Sequence, residues 1–406
     1  MRKTFIFALL CLMAGSVLWA GGYQVSLHGQ KQIGMGLIGT SLNLDASAAF
    51  YNPAGLALMP DQISIMAGAS GIFGSTAFQA PSPSVYQAHT DNPMGTPFYF
   101  YAAGMITDKL AAGLAVNTPY GNSLKWEDGW IGRFLIEEIS LMAITVQPTL
   151  SYKITDNISV GAGFVYTYGA VELQRALPVQ NSDMEGRINI DGSTSSYGFN
   201  AGIMYAADNG LNVGISYRSR IDMEVDDADA TFTVPASLAG TFPDSKVATM
   251  LPLPANLDFG LSYQFTPDLM IGMALNYVFW DAYESLAFDF ADNPSLNNVS
   301  PREFSNTLIY RLGGQYRVNE TLYVRAGGYF DPSPVNDIYF SPETPSLDNL
   351  AFTGGLSFLP MPNLSLDFSL LYIMGMEDEK TFAPLNFGGT YKSNILIPGI
   401  GISYSL

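Results

Sequence analysis

Cysteine and histidine are nearly absent from this chain. Among 406 residues there is one cysteine, Cys11, and two histidines, His28 and His89. Cys11 lies in an amino-terminal apolar stretch, so beyond it no thiol is left for a disulfide, a soft metal or nucleophilic chemistry. The histidines are far apart in sequence, and His89 has no evident Ser or Asp partner, so neither a metal pair nor a hydrolase triad is expected. No Gly-rich phosphate loop opens a helix. The expectation is a protein without enzymatic activity, cofactor or metal. Charge is sparse too, 13% of residues, and acidic where present: 18 Lys and Arg against 36 Asp and Glu, a net −18. That balance argues against a nucleic-acid partner. Long hydrophobic runs are missing as well. No internal run reaches the length of a membrane helix, yet 48% apolar content with so little charge is unlike a soluble protein. A chain that spans a bilayer without helices has one solution left, a closed barrel whose backbone groups pair across strands.

What is present begins with a secretory signal. Arg2 and Lys3, the apolar Phe5 to Leu12, and Leu18-Trp19-Ala20 before Gly21 give a segment 1–20 removed on export. Cys11 follows bulky Leu10 inside the apolar core, which argues against a lipoprotein signal. Losing Arg2 and Lys3 takes the net charge from −18 to −20.

From Gln62 onward side chains alternate with the period of a strand. Phe164, Tyr166 and Tyr168 alternate with Gly163 and Thr167. Leu308, Tyr310 and Leu312 alternate with Arg311, and Leu366, Phe368 and Leu370 with Asp367 and Ser369. Short turns such as Thr107-Asp108-Lys109, Thr155-Asp156-Asn157 and Thr266-Pro267-Asp268 separate the members of each pair, while long acidic connections join one pair to the next. Short turns on one side and long loops on the other mark a transmembrane antiparallel β-barrel, apolar face to lipid and polar face to the lumen. The fold class expected is all-β, with about fourteen strands running from 62–73, 97–107 and 109–119 through 157–172 and 195–206 to 363–374 and 394–405. The connections 173–194, 221–253, 281–303 and 375–393 are expected to be loops on the outer side. Tyr and Trp near strand ends suit the membrane interface. Acid runs such as Asp226-Asp227 leave open a divalent-ion bridge to lipopolysaccharide phosphates, but no ligand spacing marks a site.

Residues 21–61 do not alternate. They are Gly-rich, with Gly34, Gly36 and Gly39, and carry Ile33, Met35, Leu37, Ile38, Leu42, Leu44, Phe50 and Leu56, which call for burial. A plug folded inside the barrel fits this segment, leaving 62–406 as the barrel.

Several stretches, in order, resemble the long-chain fatty acid transporter family of the Gram-negative outer membrane, the FadL-like proteins. They are Gly22-Tyr23-Gln24-Val25, Asn52-Pro53-Ala54-Gly55, Trp126 to Arg133, Gln147 to Lys153, Trp280 to Tyr283, Tyr310 to Tyr316 and Asp331-Pro332-Ser333-Pro334-Val335. The resemblance implies a fourteen-stranded barrel, an amino-terminal plug and passive uptake of hydrophobic molecules, long-chain fatty acids foremost, with exit sideways through the barrel wall. Its partners would be the hydrophobic substrate and outer-membrane lipid with lipopolysaccharide, and it would act as a monomer. A channel for aromatic or aliphatic hydrocarbons, and a surface barrel without cargo, are the alternatives.

Candidate site residues follow. Asn52, Pro53 and Ala54 form an ordinary turn by themselves; the resemblance makes them the plug element across the exit. Pro119 removes a ladder donor and Gly121 permits a bend, as at a strand end or bulge; the resemblance makes Gly121 the kink that opens the wall. Val171, Leu173 and Arg175 share the inward face of their strand. The family places a carboxylate-binding arginine on this strand, and the matching position here is Leu173, with Arg175 two places on, about 7 Å away. That departure leaves a pocket for uncharged hydrocarbons equally open. Arg311, Arg317 and Arg325 point inward and would either line the lumen, paired with Asp258, Asp367 or plug groups, or meet a carboxylate.

Overall fold

The computed structural model describes residues 22–180 and 184–406. The expected signal segment and its cleavage site lie outside the described residues. Alternation drives the wall. Fourteen antiparallel positions close on themselves: β1 (Ile63–Ser70), β4 (Phe98–Met105), β5 (Leu110–Lys125), β6 (Glu138–Lys153), β7 (Ile158–Gln180), β8 (Glu185–Ala206), β9 (Leu211–Arg218), β12 (Asn256–Gln264), β13 (Leu269–Val278), β16 (Thr307–Asn319), β17 (Leu322–Asp331), β18 (Asn349–Met361), β19 (Leu364–Phe382) and β20 (Phe387–Ser405). Closure pairs the first strand with the last, Ser64 opposite Ser405. The faces sort as lipid requires. Phe164, Tyr197, Leu312, Phe352 and Ile400 are more than half exposed, whereas inward Ser159, Thr167 and Asn200 are fully buried.

The outer connections differ from expectation. Segments 173–180, 184–194 and 375–393 are not loops: β7 and β8 stay paired as far as Gln180 opposite Glu185, and β19 and β20 as far as Phe382 opposite Phe387. The first connection carries β2 (Phe73–Gln79) and β3 (Gln87–His89), 221–253 carries β10 (Ile221–Thr233) and β11 (Ser245–Leu253), and 281–303 carries β14 (Ser285–Phe290) and β15 (Asn298–Pro301). Strands β10, β11 and β14 stack above the barrel around Ile188, Ile190, Val225, Val247 and Phe290. The tryptophans also depart from expectation. Trp126, Trp130 and Trp280 are at most 2% exposed and form the cores of the outer caps rather than interface girdles. Trp126 stacks on Trp130 with centroids 4.1 Å apart.

Residues 22–58 fill the lumen through two short helices, Gln30–Gly34 and Ala48–Tyr51, and a 3-10 turn, Pro53–Leu58. Ile33, Met35, Leu37, Ile38, Leu42 and Leu56 are buried. Inward polar side chains of the wall meet this segment's backbone. Thr353 Oγ1 donates to Gly34 O at 3.0 Å, Ser262 Oγ to Ser41 O at 3.2 Å, and Ser159 Oγ to Ala54 O at 2.7 Å. One contact needs glycine on both sides. Gly36 sits at φ +73°, where a Cβ would come within 2.7 Å of Leu312 O, and a Cβ on Gly313 would meet Met35 O at 2.2 Å.

Candidate functional site: an apolar cavity and a parted wall

Near its outer rim the wall parts between β4 and β5. The β4–β5 ladder ends at Tyr99 opposite Asn117, and beyond it β6 is the one barrel strand paired with β5, until Lys125 O accepts Asp91 N–H at 2.8 Å. Thr118 Oγ1 takes the last β4 donor, Phe98 N–H, at 3.2 Å. Pro119 has no N–H to offer, and the β5–β6 register slips between Asn117 and Tyr120, a bulge that bends the strand. Gly121 contributes no left-handed dihedral. The bend therefore rests on the proline and the bulge. Contrary to expectation, the strand does not end there but continues to Lys125.

The freed edge of β5 has a replacement partner. Val25 N–H donates to Pro119 O at 2.8 Å and Gly121 N–H to Tyr23 O at 3.1 Å, with Gln24 bridged to Tyr120. Residues 23–25 thus add a short antiparallel strand where β4 has departed. Tyr23 anchors it: its hydroxyl donates to Pro252 O, and its ring meets Trp280 edge-on with centroids 5.0 Å apart. Gly22 N–H donates to Ser346 Oγ at 3.0 Å.

Asn52, Pro53 and Ala54 lie elsewhere, which corrects the expectation that they cross the opening. Asn52 is fully buried; its Nδ2 donates to Thr40 O at 2.9 Å and its Oδ1 accepts Ala54 N–H at 3.1 Å, capping the 3-10 turn. Ala54 O accepts from Ser151 and Ser159 of β6 and β7. Ser151 stands nine positions along β6 from Met142, the residue opposite Gly121, or roughly 30 Å. The element belongs to the inner floor of the lumen.

Behind Tyr23 lies a cavity of about 870 Å³, mouth included. Val171 and Leu173 line it as their parity required, with Leu141, Met223, Leu251 and Phe288. Its polar edge carries Asn122, Tyr283 and Glu343. Glu343 forms a buried ion pair with Arg302, which also donates to Ser300 Oγ at 2.6 Å. Burial alone would weaken the Arg302 proton, but Glu343 and Tyr283 outweigh it and hold the guanidinium firmly charged. Burial pushes the Tyr283 hydroxyl up to about 12, so it stays neutral.

The arginines divide. Arg175 stands just beyond the cavity lining, partly buried, without a hydrogen-bond acceptor among the described residues, and Glu343 is the carboxylate that acts on it. Arg311 donates to Leu37 O at 2.9 Å and Arg325 to Gln315 Oε1 at 2.8 Å and Ser357 Oγ at 2.5 Å, so both sit at the lumen segment, outside the cavity. Arg317 pairs with Asp268 at 2.8 Å on the inner rim. Sequence reasoning passed over Arg218, which donates to Gln147 Oε1 and Phe50 O at 3.0 Å each and lies 4.2 Å over the Phe50 ring. It also passed over Glu343 and Arg302, whose loops give no periodic signal. Tyr23 was within reach, as part of the quoted Gly22-Tyr23-Gln24-Val25 stretch.

The loop that holds Ser346 carries a titratable group. Asp348 accepts Ser333 N–H at 3.3 Å, and burial, with Asp378, Asp331 and Asp337 nearby, raises its carboxyl to about 7 despite Lys380. A raised carboxyl pKa means the folded loop binds a proton more tightly than the unfolded one. Its stability is therefore greatest at acid pH and falls as pH rises through 7. Hydrogen exchange of 331–349 should quicken between about pH 4 and pH 7 beyond the intrinsic rate, and Asp348→Asn should flatten that dependence.

With this geometry in place, comparisons with known proteins agree on one lineage. Residues 11–404 match the family described as "Outer membrane protein transport protein (OMPP1/FadL/TodX)". The outer membrane protein P1 of Haemophilus influenzae is 24% identical over 75% of this chain and 74% of its own. The long-chain fatty acid transport protein of Escherichia coli K12 is 21% identical over 94% of each chain. Among solved structures, a Pseudomonas aeruginosa FadL homologue superposes with a TM-score of 0.82 at 20% identity, covering 95% of this chain and 100% of its own. The Pseudomonas putida toluene transporter TodX gives 0.74 at 14% identity, covering 96% and 99%. These likenesses show the barrel fold, and the family match shows the lineage: this chain is a multi-pass β-barrel of the outer membrane and belongs to the OMPP1/FadL/TodX family of outer-membrane transport proteins.

Proposed function

We propose that this protein carries long-chain fatty acids passively across the outer membrane, from the apolar cavity out through the parted wall between β4 and β5. One observation carries this reading: Tyr23 lines the cavity and also belongs to the segment seated on the freed edge of β5. Cavity and gap therefore share a wall, and moving residues 23–25 joins them. Apolar burial draws the substrate in, and an apolar site with few polar anchors lets it leave. The carboxylate would lie towards Arg175, since Arg175 and Arg302 against Glu343 leave one uncompensated positive charge at that end.

A second reading has its own support. Leu173, at the position where the family's arginine is expected, lines the cavity, which suits uncharged hydrocarbons equally. Uptake of a fatty acid and of its methyl ester by Arg175→Ala separates the two. Loss confined to the acid, of the order of tenfold to a hundredfold for a lost charge-assisted hydrogen bond, supports the carboxylate. Equal effects on acid and ester favour the hydrocarbon.

A further inference from the structure

The barrel wall behind the cavity is built of rungs that cross from β6 to β7, and their side chains shrink going inward. Ile139 stands opposite Leu173, Leu141 opposite Val171, and Ala143 opposite Gly169. All six line the cavity. The next rung, Thr145 opposite Thr167, is buried and polar, with Thr145 Oγ1 donating to Asn117 Oδ1. The apolar surface of the wall therefore stops at Ala143 and Gly169.

The room that these small residues leave is taken from the other side. A Cβ on Gly169 would meet Met223 Cε at 2.7 Å, so Met223 of β10 lays its terminal methyl where a side chain at 169 would stand. Met223 also lines the cavity. Its level is fixed by its partners: it pairs with Leu251, next to Pro252, whose carbonyl accepts the Tyr23 hydroxyl. The Met223–Gly169 contact thus lies at the end of the cavity nearest the seam that Tyr23 closes.

Arg175 marks the opposite end. It shares the inward face of β7 with Gly169, Val171 and Leu173, and it stands six positions from Gly169, about 20 Å along the strand. A saturated chain of about sixteen carbons, zigzagging with bonds of about 1.5 Å, covers the same distance.

We propose, resting on the fatty-acid reading above, that Met223 against Gly169 sets the length of acyl chain the cavity accepts: with the carboxylate at Arg175, the methyl end stops at this contact. Up to the stop, each further buried methylene should raise affinity about fourfold. Beyond it, a methylene must push the methionine tip aside, and the gain ends. The flexible thioether makes the stop a soft one.

The test measures binding of tritiated saturated fatty acids to the full chain in lipid nanodiscs, across a series from about ten to about twenty carbons in which burial grows one methylene at a time. Partition into the bilayer is the same for every variant and cancels in the ratio of variant to wild type. Gly169→Leu puts an isobutyl group at the stop. It should move the optimum shorter by about two to four carbons and weaken the longest acids about tenfold or more, the usual cost of overpacking. Met223→Ala removes the stop from the other side and should move the optimum longer by about two carbons. Heat-dependent gel mobility confirms that each variant is a folded barrel. A wild type that binds no acid of the series would overturn the fatty-acid reading, and the length gauge with it. Acid binding whose optimum neither variant moves, or a loss equal at every length, would overturn the gauge alone.

Discussion

A disulfide between positions 24 and 120 should abolish uptake until it is reduced. Gln24 and Tyr120 face each other as a bridge flanked by the hydrogen bonds Val25 N–H to Pro119 O and Gly121 N–H to Tyr23 O. That arrangement is the narrow, non-hydrogen-bonded type of antiparallel pair, with Cα atoms about 4.5 Å apart, inside the range a disulfide spans. Because Cys11 is the chain's one cysteine and lies in the expected signal, Gln24→Cys with Tyr120→Cys would have no competing thiol in the exported protein. Oxidised, residues 23–25 cannot leave β5, and the cavity stays shut from the bilayer. Uptake of a labelled fatty acid should fall to the level of cells lacking the protein and return on reduction. Each single variant controls for loss of its side chain. Undiminished uptake by the oxidised protein would move the exit away from this seam.

Leu173→Glu should be nearly as severe and should not discriminate between substrates. Leu173 is 6% exposed on the cavity wall, so a carboxylate there either loses water or brings water into the cavity. Either way apolar contact is lost, at a cost of about 3 kcal/mol or more, roughly a hundredfold in affinity. Fatty acid and methyl ester should suffer alike in an uptake assay, with unchanged amounts of heat-modifiable barrel in the membrane. A loss limited to the acid would show that charge repulsion at a carboxylate, rather than apolar burial, is what position 173 controls.

How much of this was legible in the sequence depends on which neighbours a residue answers to. Wall strands answer to lipid on one face and lumen on the other, so Phe164, Thr167 and Leu312 announce their sides by parity alone. Val171 and Leu173 were placed on the cavity for the same reason. The outer strands answer to each other and to water, and their acid content concealed them. Ile221, Met223 and Val225 alternate with Asp222, Glu224 and Asp226 as regularly as any wall strand, yet the segment reads as a charged loop. Lumen residues were the hardest. Position along the plug does not give height in the barrel, so Asn52-Pro53-Ala54 could be tied to an exit that Tyr23, Gln24 and Val25 occupy. Pro119 was legible as a ladder breaker. Gly121 was read as a dihedral hinge, although its backbone needs no glycine there. The Arg302–Glu343 pair joins two loops and leaves no pattern in either.

The most direct test of the central claim, that substrate passes from this cavity to the parted wall, is where the substrate lies. Crystals grown with a terminally brominated long-chain fatty acid allow the bromine to be located by its anomalous scattering. Bromine should appear among Leu173, Met223 and Leu251, with weaker sites leading past Tyr23 to the freed edge of β5. Bromine confined to the lumen beneath residues 22–58, between Arg325 and Asp367, would contradict it and make passage straight through the barrel the better description.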